Sequence, residues 1–512
     1  LRPKETSMFQ TALNALKPNT TVLGYALFLA VNATGVWGGV FPFLPMKIQT
    51  AEVMFQFYLA QSLMMFAVFF ALARASYGRV RLKPSTCVLV AAAVYFGGWA
   101  FLIASMYLHQ NSLVLVVVGG IFLGCGSAMF YLLWQRVFAS RSSDDGMRDL
   151  IAGFAYAALF YFALYLIPRA VTAYLIPLVF LPLFALAVIL GSRRIDFSQP
   201  MFSDAPRENL RVYRRAVSSL WRSALCMGAI AFCAGLVRSI AIEQPVIGSL
   251  VNLLSMGAML VASVAVLLLW KTKGLKLNLI KLYRIVFPLI ISAFVVLPFT
   301  HFGYIRWLAA GLFALYSIGL MLTMMQCAQI SRDRGVNPFF AFGLFGGIVY
   351  GLHDVGFISG ALIGLMPGGE LSPNVLTALV AIYLLALMFF VGSVNFKNST
   401  AQLLYGDTIE LVAPVMEGAA APEAPAEPRD DDTPPGDATD LLSLQVGRLK
   451  EHYHLSEREA EVVDLVVHGN TVARIAEQLF ISENTVRTHT KRIYTKLDVH
   501  KKQELIDLVA QF

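Results

Sequence analysis

Charge is scarce in this sequence. Only 14% of the residues are Asp, Glu, Lys or Arg, where a soluble globular chain carries about 25%. A chain so poor in charge cannot cover itself with polar surface, which excludes an ordinary soluble protein. Cysteine is sparse too: Cys87, Cys125, Cys226, Cys233 and Cys327 all lie in or beside apolar stretches, with no CxxC pair. Neither a disulfide framework nor a zinc site is therefore indicated. The chain has no phosphate-cradling glycine loop, no metal-ligand spacing, no nucleophile constellation and no histidine-kinase core. An enzyme is not expected, and no cofactor or metal is implied. The first twenty residues are polar and basic without a cleavable signal pattern. No receiver domain precedes the apolar part, so phosphorylation is not the expected input.

What the sequence has in quantity is apolar runs. About twelve reach membrane-spanning length, near 21–44, 51–73, 86–108, 112–135, 149–167, 171–191, 223–243, 248–270, 279–300, 304–329, 338–366 and 374–396. Alternate loops hold nearly all the bases, among them Arg74, Arg79, Arg81, Lys83, Arg136, Arg141, Arg193, Arg194, Arg207, Arg211, Lys271, Lys273, Lys276, Arg332 and Arg334. The opposite loops hold little beyond Lys47, Arg169 and Arg306. This bias puts the basic side in the cytoplasm of a multi-pass cell-membrane protein. An even number of spans puts both termini there.

The net charge of +8 is a sum of unlike parts. Residues 1–397 carry 29 bases against 12 acids, residues 398–440 one against ten, and residues 441–512 ten against ten. The middle segment, rich in Ala, Pro, Glu and Asp with Asp430-Asp431-Asp432 in a row, cannot build a core and is expected to be an extended linker. About forty flexible residues reach roughly 35 Å. The expected modules are a cytoplasmic segment 1–20, a first six-helix membrane half 21–191, a basic loop 192–222, a second half 223–397, the acidic linker 398–440, and a C-terminal domain 441–512.

That last domain is organised around Ser482 to Leu497, SENTVRTHTKRIYTKL. Ser482 is an N-cap type, Val486, Thr490, Ile493 and Leu497 form one stripe, and Arg487 and Lys491 lie on another face. Ser456 and Glu459 have capping-box spacing at the head of an earlier helix that stops at Gly469. Thr471 to Leu479 is a short second helix, Phe480-Ile481 a turn, and His500 to Phe512 a fourth helix. Two short helices joined by a tight turn, the second one basic, is helix-turn-helix anatomy.

Leu455 to Val509 resembles the LuxR/NarL-type helix-turn-helix domain of bacterial transcription regulators. The matching residues are Leu455 to Glu459, Gly469, Ile475-Ala476, Leu479, Ile481-Ser482-Glu483, Thr485-Val486, His489, Ile493 and Lys496-Leu497. The chain departs from the family at Val472-Ala473-Arg474, where a polar-basic-acidic run is usual. The resemblance implies binding to double-stranded operator DNA through Arg487, Thr488 and Lys491, with Thr485, Arg492 and Lys496 as further DNA-binding candidates. It also implies dimerisation on DNA through the fourth helix, and RNA polymerase as a possible partner.

The membrane part, six spans plus six around the basic loop Ser192 to Arg222, resembles the major facilitator architecture. The loops Gly78 to Lys83 and Lys271 to Lys276 are like worn copies of that family's cytoplasmic signature, and both lack its acidic residue. The expected fold class is all-α, a polytopic bundle of about 12 transmembrane helices followed by a four-helix domain. The expected function is a one-component regulator that senses a small-molecule inducer in the bilayer and binds DNA in the cytoplasm. The alternative is a transporter with a regulatory tail, which the missing acidic residues disfavour. Ionisable groups within spans are the sensing candidates, because apolar surroundings make them costly. These are His353 and Asp354, in a stretch with Gly343, Gly346, Gly347, Gly351, Gly356, Gly360 and Gly364, then Arg238 and Glu243. Asn32, Trp37, Glu52, Gln56, Tyr350 and His301 rank behind them.

Overall fold

The computed structural model describes residues 17–36, 50–77, 84–393, 408–411 and 438–509, with short breaks at 109–111, 165, 204–205, 208, 242–244, 274, 301–302, 366–371, 454, 469, 471, 480–482 and 500–501. The chain divides into a membrane-type unit, Leu1–Ser331 with Val336–Ala413, and a C-terminal unit that is chiefly Pro414–Phe512.

In the first unit the helices are α1 (Thr20–Val36), α2 (Ala51–Ala75), α3 (Pro84–Tyr107), α4 (Ser112–Ser140), α5 (Ser143–Leu164), α6 (Arg169–Leu175), α7 (Leu181–Arg193), α8 (Leu210–Ala241), α9 (Pro245–Lys273), α10 (Leu279–Val296), α11 (Gly303–Arg334), α12 (Pro338–Leu365) and α13 (Pro373–Ser393). A π-helical turn, Ile176–Phe180, runs α6 into α7 as one span. Pro177 and Pro182 fall in and just after that turn, and each lacks an N–H for the regular ladder. Among the described residues, eleven helices are long and apolar enough to cross a membrane, and α1 supplies a shorter apolar one. The protein is thus a multi-pass membrane protein.

Helix α5 begins at Ser143, six residues before the expected apolar limit. Hydropathy stops short of it because of Asp144, Asp145 and Asp149. Asp149 is fully buried, but its carboxylate accepts from Asn19 Nδ2 at 2.8 Å and Arg148 Nη2 at 3.1 Å, and pairs with Arg141. A buried carboxylate so surrounded is tolerable where a bare one is not.

The packing follows a six-helix repeat. Counting α6 and α7 as the sixth span, spans 1 and 5 pack together, as do spans 7 and 11. Spans 1 and 6 match 7 and 12, and spans 3 and 6 match 9 and 12. Between the halves, span 2 packs on span 11 and span 5 on span 8, the same contact under a shift of six. This is the internal symmetry of a two-fold repeat bundle.

Among the described residues, two short strands interrupt the all-helical plan. β1 (Leu275–Asn278) lies between α9 and α10, and β2 (Thr408–Leu411) lies within the stretch expected to be linker. They pair antiparallel, with Leu275 opposite Leu411 and Lys276 opposite Glu410. The Lys271–Lys276 signature thus falls on the end of α9 and on β1. The Gly78–Lys83 copy lies outside the described residues, as does the acidic run Asp430–Asp432.

The C-terminal unit comprises α14 (Ala438–Tyr453), α15 (Glu457–Val467), α16 (Val472–Gln478), α17 (Glu483–Leu497) and α18 (Lys502–Val509). Its own core joins Val446 and Leu449 of α14 to Val462, Val463, Ile475, Val486, Ile493, Leu505 and Val509.

Candidate nucleic-acid interface and intramembrane cavity

Helix α17 is held by one carboxylate. Glu459 stands third in α15, where the capping box with Ser456 forms as the spacing predicts: Glu459 N–H donates to Ser456 Oγ at 3.3 Å, and Ser456 N–H donates to Glu459 Oε2 at 2.9 Å. The same carboxylate, 1% exposed, takes Lys496 Nζ on Oε2 at 2.6 Å and faces Arg492 Nε from Oε1 at 3.5 Å. Arg458, its neighbour, donates to the Leu479 carbonyl at the end of α16. One turn of α15 therefore fixes both helices of the helix-turn-helix.

The same geometry bears on Arg492 and Lys496. The sequence places both among the DNA-facing bases, yet Arg492 is buried and both are turned onto Glu459. Burial lowers the Arg492 pKa to about 10, which leaves it charged at neutral pH. The inward face of α17 is Val486, His489, Arg492, Ile493 and Leu497, with Thr490 half-buried and its hydroxyl donating to the Val486 carbonyl at 2.9 Å. Burial, then the nearby Arg458 charge, pushes the His489 pKa below its usual value, against the pull of Glu459 and Glu461. On the outer face, Arg487 and Lys491 are exposed one turn apart, and Thr485 and Thr488 are half-buried. The Ser482 cap, the Phe480-Ile481 turn and Gly469 lie outside the described residues.

Asp498 ends α17 with φ at +56°. The Val499 N–H reaches back to the Tyr494 carbonyl at 3.0 Å, the six-to-one bond of a Schellman cap, which places Asp498 at the glycine-favoured position. Asp498→Gly should remove left-handed strain and stabilise the C-terminal unit by about 0.5–1 kcal/mol. A rise in its unfolding midpoint, at unchanged slope with denaturant, is the expected readout.

The membrane unit holds a second candidate site. Tyr58, Gln61 and Ser62 of α2, Arg238 of α8, Phe313 and Tyr316 of α11, and Tyr350 and His353 of α12 line a small cavity. It lies where span 2 of the first half meets spans 7, 10 and 11 of the second. Arg238 is 6% exposed and stacks its guanidinium over the Tyr58 ring at 3.8 Å. Its Nε and Nη2 meet no hydrogen-bond acceptor among the described residues. The His353 ring is parallel to that of Phe357 at 6.2 Å, and its Nδ1 is 3.5 Å from Asp354 Oδ1 with no hydrogen bond between them. Both Asp354 oxygens and the Tyr350 hydroxyl are also buried without partners among the described residues.

The structure therefore brings Arg238 and His353 to one cavity. Asp354 adjoins it without lining it. Glu243, Trp37 and His301 lie outside the described residues. Asn32 belongs elsewhere, donating to the Tyr131 hydroxyl at 3.0 Å and accepting from Ser127 Oγ at 2.7 Å. Sequence reasoning missed Tyr58, Gln61, Ser62, Phe313 and Tyr316. The one usable signal among them was Gln61, an amide inside an apolar span.

Residues 453–509 match the luxR family of bacterial regulatory proteins. A Pseudomonas aeruginosa chain is 49% identical over 57 residues, 11% of this chain and 28% of that one. The oxygen regulatory protein NreC of Staphylococcus haemolyticus is 45% identical over 53 residues, 10% of this chain and 24% of its own. The transcriptional regulatory protein LiaR of Bacillus subtilis is 46% identical over 48 residues, 9% and 23%. The chain thus spans about a quarter of the length of these relatives. Among solved structures, a bacterial homologue of the iron transporter ferroportin in an outward-facing state aligns with a TM-score of 0.49 at 13% identity, covering 73% of this chain and 99% of that one. A variant of the Escherichia coli fucose:proton symporter FucP aligns with a TM-score of 0.48 at 12% identity, covering 74% and 98%.

Proposed function

We propose that this chain is a membrane-embedded one-component transcription regulator, whose bundle senses a small molecule and whose C-terminal domain binds operator DNA. The observation that carries the reading is a LuxR-type helix-turn-helix with Arg487 and Lys491 exposed on a rigidly anchored second helix, in one chain with a multi-span bundle. Thr485, Arg487, Thr488 and Lys491 are the residues assigned to DNA. Arg492 and Lys496 position the helix that carries them. The loop-charge bias supports an inner-membrane location with both termini in the cytoplasm, where a DNA-reading domain has access to its target.

The other partners are a second copy and RNA polymerase. In α18, Leu505 and Val509 face the domain's own core, while Ile506 is half-buried outside it. That residue, on the helix through which such domains are expected to pair, is the contact point for a dimer. The signal route is supported by the β1–β2 pairing: the segment leading to the C-terminal domain is hydrogen-bonded to the loop between α9 and α10. A bundle that shifts α9 against α10 would grip or release that segment, changing the freedom of the DNA-binding domain.

The test is occupancy. In cells, mapping of bound DNA should lose its peaks when Arg487 and Lys491 are both replaced by Ala, each change weakening binding by about 1–3 kcal/mol. Membrane insertion and the unfolding midpoint of the C-terminal domain should not move. Undiminished peaks in the double variant would remove α17 as the reading helix.

A further inference from the structure

We infer that the cavity around Arg238 binds a small organic acid, a monocarboxylate with a flat apolar body. The inference rests on the sensor reading above and adds the ligand's chemical class.

Three observations carry it. First, an arginine is among the costliest groups to bury in a membrane, and one that is buried there needs a compensating partner. Arg238 is only 6% exposed, and no carboxylate lies within the 4.0 Å of an ion pair among the described residues. Second, the unsatisfied atoms are Nε and Nη2, which form one edge of the guanidinium. That edge is the two-donor fork that matches the two oxygens of a carboxylate. Tyr58 covers a face of the same group and leaves the edge available. Third, the walls are rings. Phe313 lies 5.8 Å and Phe357 5.9 Å from the guanidinium carbon, and Tyr316 and Tyr350 also line the space. A planar hydrocarbon body would stack among them, with the Tyr350 hydroxyl as a further polar contact.

Charge counts against a cationic ligand, because the one permanently ionised group among the lining residues is itself a cation. Neutral ligands would leave the Arg238 fork unfilled. The space between these side chains is small, so multi-ring ligands are excluded.

The experiment uses the full-length protein in detergent with millimolar benzoate, phenylacetate, butyrate, benzylamine or benzyl alcohol, read as the thermal unfolding midpoint and by calorimetry. Benzoate or phenylacetate should raise the midpoint, with butyrate weaker and the amine and alcohol inert. R238Q should bind the acids at least tenfold more weakly, and R238K should fall between. The unliganded R238Q midpoint should stay at or above that of the wild type, since an unpaired buried charge is removed. A carboxylate shift equal in R238Q and wild type, a response to benzylamine instead, or no carboxylate response would each overturn the inference. Reporter expression under the same compounds separates the two readings. Arg238-dependent binding without a transcriptional response would sink the sensor reading and leave the binding site standing.

Discussion

Replacing Glu459 by Ala is expected to unfold the C-terminal domain and abolish DNA binding, although Glu459 touches no base. Removing the carboxylate deletes half of the capping box and takes the facing negative charge from Arg492, a buried cation. Breaking a buried pair by deleting one member costs about 3–5 kcal/mol, and losing the cap adds about 1. A domain of this size has a total stability of roughly 4–11 kcal/mol. The expected result in urea is a midpoint shifted far down or no folded baseline at all, followed by circular dichroism of residues 438–512. Glu459→Gln should lie between, because an amide oxygen can still accept the Ser456 N–H while the charge facing Arg492 and Lys496 is gone. The contrast with the Arg487 and Lys491 variants is the informative part. Those should lose DNA at unchanged stability, whereas Glu459→Ala should lose both together. A Glu459→Ala domain as stable as the parent would show that the carboxylate is not the link between α15 and α17.

The difference between those two sets of residues marks where the sequence is readable. Secondary structure and caps are local, so the Ser456–Glu459 box was legible from spacing, and the luxR-type match follows from a dense order of residues. The second role of Glu459 is not local. Lys496 lies 37 positions away, and nothing in the periodicity of α17 distinguishes an arginine that meets phosphate from one that meets a buried carboxylate. An apolar-stripe argument assigns Thr490 to the inner face and leaves Arg492 outside, because it scores hydrophobicity and not pairing. The same limit applies to α5, whose charged first turns read as loop until Asn19, Arg141 and Arg148 supply partners for Asp149. In the membrane unit, composition marks Arg238, His353 and Asp354 as costly. Only the meeting of spans 2, 7, 10 and 11 identifies Tyr58, Phe313 and Tyr316 as their surroundings, since an aromatic residue in an apolar run carries no signature of what it faces. The strand β2 is invisible for a related reason: four residues pair only because β1 is presented to them.

Gly356→Ala is the second substitution expected to have a large effect, and it tests whether the cavity depends on how closely α8 and α12 approach. These helices meet through glycines on both sides. A methyl group at Gly356 would overlap the Phe232 carbonyl oxygen, one at Gly235 would overlap the His353 carbonyl oxygen, and one at Gly360 would stand 2.5 Å from the Leu236 carbonyl oxygen. The obstructing atoms are backbone, so no rotamer change relieves the clash and the helices must separate. Small residues are what allow such contact in a bilayer, where no hydrophobic drive holds helices together. Overpacking of this kind costs about 1–3 kcal/mol. Arg238 stands on α8 and His353 on α12, each within a turn or so of those contacts, so separation also widens the cavity and pulls the guanidinium edge from the rings that frame it. The full-length Gly356→Ala protein should therefore unfold at lower temperature in detergent and lose its carboxylate-dependent rise in midpoint. Gly311→Ala is the matched control: a methyl there meets nothing within 4 Å, and alanine in a helix interior is favoured over glycine by up to about 1 kcal/mol. If both variants behaved alike, close approach of α8 and α12 would not be what shapes the cavity.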